Sequence, residues 1–153
     1  MKKLICLLFC FSAASVMAQN NKKPAAPQTP IPQFAITIGG LKGGEITSDN
    51  LSRIVDSSLV VKDEKGNTYT IVRFRSVYKF KSSYEDSQSG ERKITDDMRV
   101  NDFRNTSVMS ALWRQSIKDN IQIGDQMILD NVIVQLKNGK KIMAPAITFS
   151  VVR

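Results

Sequence analysis

Residues 70–81 read TIVRFRSVYKFK. The even positions hold Thr70, Val72, Phe74, Ser76, Tyr78 and Phe80, and the odd positions hold Ile71, Arg73, Arg75, Val77, Lys79 and Lys81. Side chains of an extended chain alternate between the two faces of a sheet. The stretch is therefore expected to be a strand with one apolar, aromatic face turned to a core. Its other face carries four cations, Arg73, Arg75, Lys79 and Lys81. Twelve extended residues span about 40 Å, longer than most strands, and Ser76 is the expected place for a bend or bulge.

The neighbouring segments extend the same pattern. Upstream, Phe34, Ile36 and Ile38 alternate with Ala35 and Thr37, which predicts a strand. Gly39-Gly40 and Gly43-Gly44 follow, where the backbone is expected to need positive φ or close approach. A phosphate cradle is disfavoured, because no Gly-Lys-Ser/Thr follows them. Thr47, Ser48 and Asp49 cap a short helix expected near 48–55, carrying Leu51, Ile54 and Val55. Leu59-Val60-Val61 begins a strand, and Asp63 to Asn67 reads as a hairpin turn. Downstream, residues 82–105 are polar and patternless and predict a long loop, of the kind found where a segment is functional or mobile. The main helix is expected near 105–121, with Val108, Met109, Leu112, Trp113 and Ile117 as its apolar stripe. Trp113 is assigned to packing. Met127 to Leu136 and Ile142 to Val152 are strand regions joined at Asn138-Gly139, a strong hairpin signal. Pro145, lacking an amide proton, belongs at a bulge or an edge. The fold class is α+β, mainly β: an antiparallel, β-sandwich-like domain with one main and one short helix.

The chain has 153 residues, enough for one domain, with 22 Lys+Arg against 14 Asp+Glu. It has no histidine, and its only cysteines are Cys6 and Cys10. Histidine-based triads and His/Cys zinc sites are thereby excluded. Residues 1–18 read as a secretory signal peptide: Lys2 and Lys3, a short apolar run, then Val16 and Ala18 before a cleavage site after Ala18. Neither cysteine follows a small residue, which disfavours a lipid anchor. Cleavage removes both cysteines and two lysines, leaving 20 basic and 14 acidic residues, a net of +6, and no disulfide. Residues 19–32 hold Pro24, Pro27, Pro30 and Pro32 and read as an extended tether. The folded domain is expected over 33–153. These features predict a periplasmic or secreted protein.

The order of these segments, with the residues that fill them, resembles the C-terminal domain of GldM, the periplasmic shaft protein of the type IX secretion and gliding-motility machinery. The resemblance runs from Ile38-Gly39-Gly40 and Gly43-Gly44-Glu45-Ile46 through the strand Tyr69–Phe80. It resumes at Ile123-Gly124-Asp125, Met127–Val134, Asn138-Gly139-Lys140 and Pro145-Ala146-Ile147-Thr148-Phe149. It covers most of residues 34–152. That family carries a membrane helix and several periplasmic domains, whereas this chain is expected to be a stand-alone version of the one domain. The resemblance implies docking to cell-envelope proteins, including outer-membrane-associated secretion or motility components, and no catalytic residues.

Three functional readings follow. The first is a non-enzymatic binding module acting by protein–protein contact, with Arg73, Arg75, Lys79 and Lys81 as the partner surface; arginine suits two-pronged carboxylate pairing. The same row also fits a plain solvated face that discourages edge aggregation. The second is a binder of anionic envelope polymers or lipids through that basic face, with peripheral membrane contact left open. Nucleic acid is disfavoured, because no aromatic residue interleaves the cations on their own face. The third is a small carboxylate-dependent hydrolase drawing on Glu45, Asp49, Asp96, Asp97, Asp102, Asp125 or Asp130, although no spacing singles out a pair and Asp96 and Asp97 point oppositely if extended. No cofactor and no metal is expected, and the sequence leaves the oligomeric state open.

Overall fold

The computed structural model describes residues 33–153. The expected leader with its Ala18 site and the tether at 19–32 lie outside the described residues. In chain order the elements are β1 (Phe34–Ile38), β2 (Gly44–Thr47), α1 (Ser48–Ile54), β3 (Leu59–Asp63), β4 (Thr68–Glu85), β5 (Arg92–Arg104), α2 (Ala111–Lys118), β6 (Gln126–Gln135), β7 (Lys141–Met143) and β8 (Ile147–Val152). This is the expected mainly-β α+β class. The strands form one curled mixed sheet in the order β1-β3-β4-β6-β8-β2, with β5 beside β4 and β7 beside β6. Every ladder between these strands is antiparallel except β2–β8, which is parallel.

The core collects one face of most of the strands. Ile36 and Ile38 of β1, Val61 of β3, Phe74 and Tyr78 of β4, and Phe149 and Val151 of β8 are all buried. Leu51 and Ile54 of α1 and Ile117 of α2 close over it. α1 forms where expected, with the Thr47 side chain accepting from the Asn50 amide. The Asn138-Gly139 hairpin also forms, Gly139 having φ +80°. Pro145 sits between β7 and β8, outside any ladder.

At two glycines of the lead-in the backbone rules out a side chain. Gly43 has φ +105°, and a Cβ there would lie 2.7 Å from the Thr148 carbonyl oxygen. Gly39 has φ +56°, and its Cβ would meet Ile54 Cγ2 at 2.7 Å. These close approaches let β2 lie against β8 and bring the end of α1 against the turn that follows β1.

The long strand departs from a single alternation. Phe74 and Tyr78 face the core as expected, but Thr70 is exposed, Val72 is half-buried, and Ile71 takes the buried place. The β4–β6 register shifts between Ile71 and Arg73 and again between Arg73 and Arg75. Across from the second shift, Asn131 has φ +49°, and burial in β6 switches from Met127 and Leu129 to Val132 and Val134. Each extra residue at a bulge flips the faces that follow it. Ser76, the expected bend, instead lies in unbroken β4, where its buried hydroxyl accepts from Trp113 Nε1 at 3.0 Å.

Two expectations are corrected. Residues 82–105 are not a loop: β4 runs on to Glu85, and β5 pairs with it in unbroken register from Arg92 to Arg104. Both faces of this ribbon are largely wet, so its sequence shows no apolar alternation for the eye to find. The main helix is also shorter than 105–121. It starts after Ser110, whose hydroxyl accepts from the Trp113 amide at 3.3 Å. Asn105 at φ +53° and the Thr106 side chain, bonded to Val108, turn the chain before it. Met109 is buried from this turn, whereas Leu112 is 86% exposed and does not belong to the buried stripe.

The β3–β4 turn predicts an acid response. The Asp63 carboxylate accepts from the amides of Lys65 and Asn67, from Asn67 Nδ2 and from the Tyr69 hydroxyl. These bonds, the Asn67 side chain foremost and against some desolvation, hold it down at about 2, below its ordinary 3.8. The folded state thus keeps this group charged where the unfolded chain protonates. Its contribution is complete above about pH 4 and is lost as pH falls through about 2. Urea midpoints at pH 5, 4, 3 and 2 are expected to fall less steeply for Asp63→Asn than for the wild type. Equal slopes would remove Asp63 from the acid response.

Candidate partner-binding face

β4 places Arg73, Arg75, Lys79 and Lys81 on its outer face, as the alternation predicts beyond the bulge. The face is not a uniform cationic row. Arg75 makes a two-pronged pair with Asp130 of β6, Nε to Oδ1 and Nη2 to Oδ2, both at 2.7 Å. Those bonds hold the guanidinium above its ordinary value, so it stays charged. Arg73 donates from Nε at 3.2 Å and from Nη2 at 2.8 Å to Oδ1 of Asp102 on β5. Both pairs are partly exposed, and such pairs add little to stability. Their role is to neutralise the two arginines from within the protein.

Lys79 and Lys81 are exposed, and among the described residues neither has a carboxylate within ion-pair distance. Lys79 stands opposite Met98 on β5 and Gln126 on β6, and Lys81 stands opposite Asp96. β6 begins at Gln126, so beyond Lys79 its ladder with β4 ends and β5 remains as the partner of β4. A cleft of about 560 Å³ opens at this step, lined from both faces of the ribbon by Lys79, Phe80, Lys81, Asp96, Asp97, Met98, Gly124 and Gln126. Alternating residues of β5 extend the same outer face. Val100 is 50% exposed, Met98 62% and Ile94 73%. In the sequence, even spacing is the only mark of Ile94, Met98 and Val100.

The opposite face of the ribbon is anchored. Arg99 lies over the Phe80 ring, 5.0 Å from its centroid, and donates to the Ser116 hydroxyl of α2 at 2.8 Å. Phe80 stacks on Tyr78 at 6.0 Å. The Tyr78 hydroxyl donates to the buried Asp125 carboxylate at 2.5 Å, and the same oxygen accepts from the Gln122 amide at 2.8 Å. Burial first, then the bond to Asp125, pushes the Tyr78 hydroxyl well above its ordinary value, so it remains a neutral donor. Tyr78, Phe80 and Arg99 thus tie the root of the ribbon to α2 and to the turn before β6.

The candidate carboxylates are dispersed. Asp96 and Asp97 fall on opposite faces of β5, facing Lys81 and Phe80 in register. Asp102 and Asp130 hold arginines, and Asp125 holds Tyr78. Glu45 lies in β2, and Asp49 is in the first turn of α1. Among the described residues, no group of three or more Asp and Glu is placed to hold a metal ion. No helix among them is long and apolar enough to cross a membrane. No protein-family model matches the chain, and a search of curated proteins likewise finds no match.

Proposed function

We propose that this protein is an exported, periplasmic, non-enzymatic binding module that acts by protein–protein contact, as the resemblance to the GldM C-terminal domain implies. One observation carries the reading. The outer face of β4 and β5 exposes Ile94, Met98 and Val100 beside Lys79 and Lys81, while Arg73 and Arg75 are already paired. An apolar strip with a cationic border is the composition of a contact surface. Of the four cations on β4, the two lysines are the ones left to meet a partner's carboxylates. Asp96 across the ladder from Lys81 weakens the pull on a polyanion, which supports a protein partner over an envelope polymer.

The test is a pull-down from envelope extract with the immobilised protein. Lys79→Glu/Lys81→Glu is expected to lose the captured partner, whereas Arg73→Gln is expected to retain it. The same proteins captured by the double variant would overturn this assignment of the face.

A further inference from the structure

The outer edge of β5 carries an inference that does not rest on the reading above. Arg92 to Arg104 is thirteen residues long, contains neither proline nor glycine, and keeps an unbroken register with β4. Among the described residues β5 pairs with β4 alone. Sheet edges left open in a monomer are usually short, bulged, or guarded by proline or inward charge. This edge has none of those guards except its charges. Beyond Gln126 it belongs to a two-stranded ribbon, an arrangement of marginal stability in water.

We propose that this edge pairs antiparallel with the same edge of a second copy of the chain, about a two-fold axis at Thr95. The argument is charge complementarity. Backbone groups that point outward on one strand must meet outward groups on the other, so a two-fold pair sets one residue opposite itself. Centring on Asp96, Asp97 or Arg99 opposes like charges on the axis, and centring on Met98 sets Arg92 against Arg104. Centring on Thr95 opposes no like charges. It places Lys93 opposite the second copy's Asp97 and Glu91 opposite its Arg99, each twice. On the other face, Ile94 comes within diagonal reach of the second copy's Met98. A register about Val100 is also free of conflict. It needs the edge at 102–104, where Phe103 is buried, whereas residues 91–98 are all exposed. Pairing at Thr95 turns two ribbons into one four-stranded sheet and leaves the Lys79 and Lys81 face open in both copies.

Sedimentation velocity and cysteine cross-linking test this on the full chain carrying Cys6→Ser and Cys10→Ser. Thr95→Cys is expected to give a disulfide-linked dimer under mild oxidation, because directly opposed Cα atoms lie about 5 Å apart, within disulfide reach. Val100→Cys is expected not to. Lys93→Asp is expected to weaken the dimer about tenfold through two like-charge oppositions. Lys93→Asp/Asp97→Lys is expected to restore it, although that swap does not restore the Lys93–Asp86 pair within the hairpin. A monomer at every concentration, or cross-linking through Val100→Cys in place of Thr95→Cys, would overturn the proposal. So would a dimer indifferent to Lys93→Asp.

Discussion

Gly43→Ala is expected to destabilise the protein by about 3 kcal/mol or more, as read from urea unfolding midpoints. Two costs add at this position. The φ of +105° is one that an alanine adopts only under strain. A Cβ would also stand 2.7 Å from the Thr148 carbonyl oxygen, a backbone atom that cannot swing aside. Relief would require β8 to move away from the segment leading into β2, which disrupts the one parallel ladder. Gly40→Ala is the internal comparison. Its φ is +83°, yet nothing lies within 4 Å of the added carbon, so only the conformational cost of about 1 kcal/mol applies. Equal losses for the two variants would show that close approach contributes nothing.

Phe74→Ala is expected to cost about 3–5 kcal/mol, the range for removing a buried aromatic ring. Phe74 is 1% exposed and stacks on Phe103 with ring centroids 4.8 Å apart. Its removal empties the core at the point where β5 joins the body, so β5 is expected to loosen along with the global loss. Hydrogen exchange of the amides from Val100 to Arg104 reads that loosening. The contrasting variant is Leu112→Ala, expected to stay within about 0.5 kcal/mol of wild type because its side chain is in water. Sequence spacing would have ranked the two as comparable core residues. A large loss at Leu112 would mean that α2 buries the face its periodicity suggests.

The reading of residues 70–81 as a long strand with a cationic outer face rested on local periodicity, and this local geometry survives in the fold from Arg73 onward. The glycine lead-in, α1 with its Thr47 cap, the Asp63–Asn67 turn and the Asn138-Gly139 hairpin were legible for the same reason. Each is specified by residues within a few positions of one another. The ribbon at 82–104 was hidden because periodicity reports burial rather than extension. A strand wet on both faces leaves only the even spacing of Ile94, Met98 and Val100 as a trace. Apolar spacing starts the helix too early in the sequence, because Val108 and Met109 are apolar for the sake of the turn that precedes α2.

Charge, the missing histidine and the strand's two faces are properties of the chain itself, and they can be read from it directly. Which cations remain available is not. Arg75 meets Asp130, 55 positions away, because the shifts in the β4–β6 ladder bring them opposite each other. Arg73 is answered from β5 in the same manner. Register between distant strands is settled by bulges and packing that act only once the sheet has assembled. The division of four like cations into two satisfied arginines and two open lysines therefore belongs to the folded protein alone.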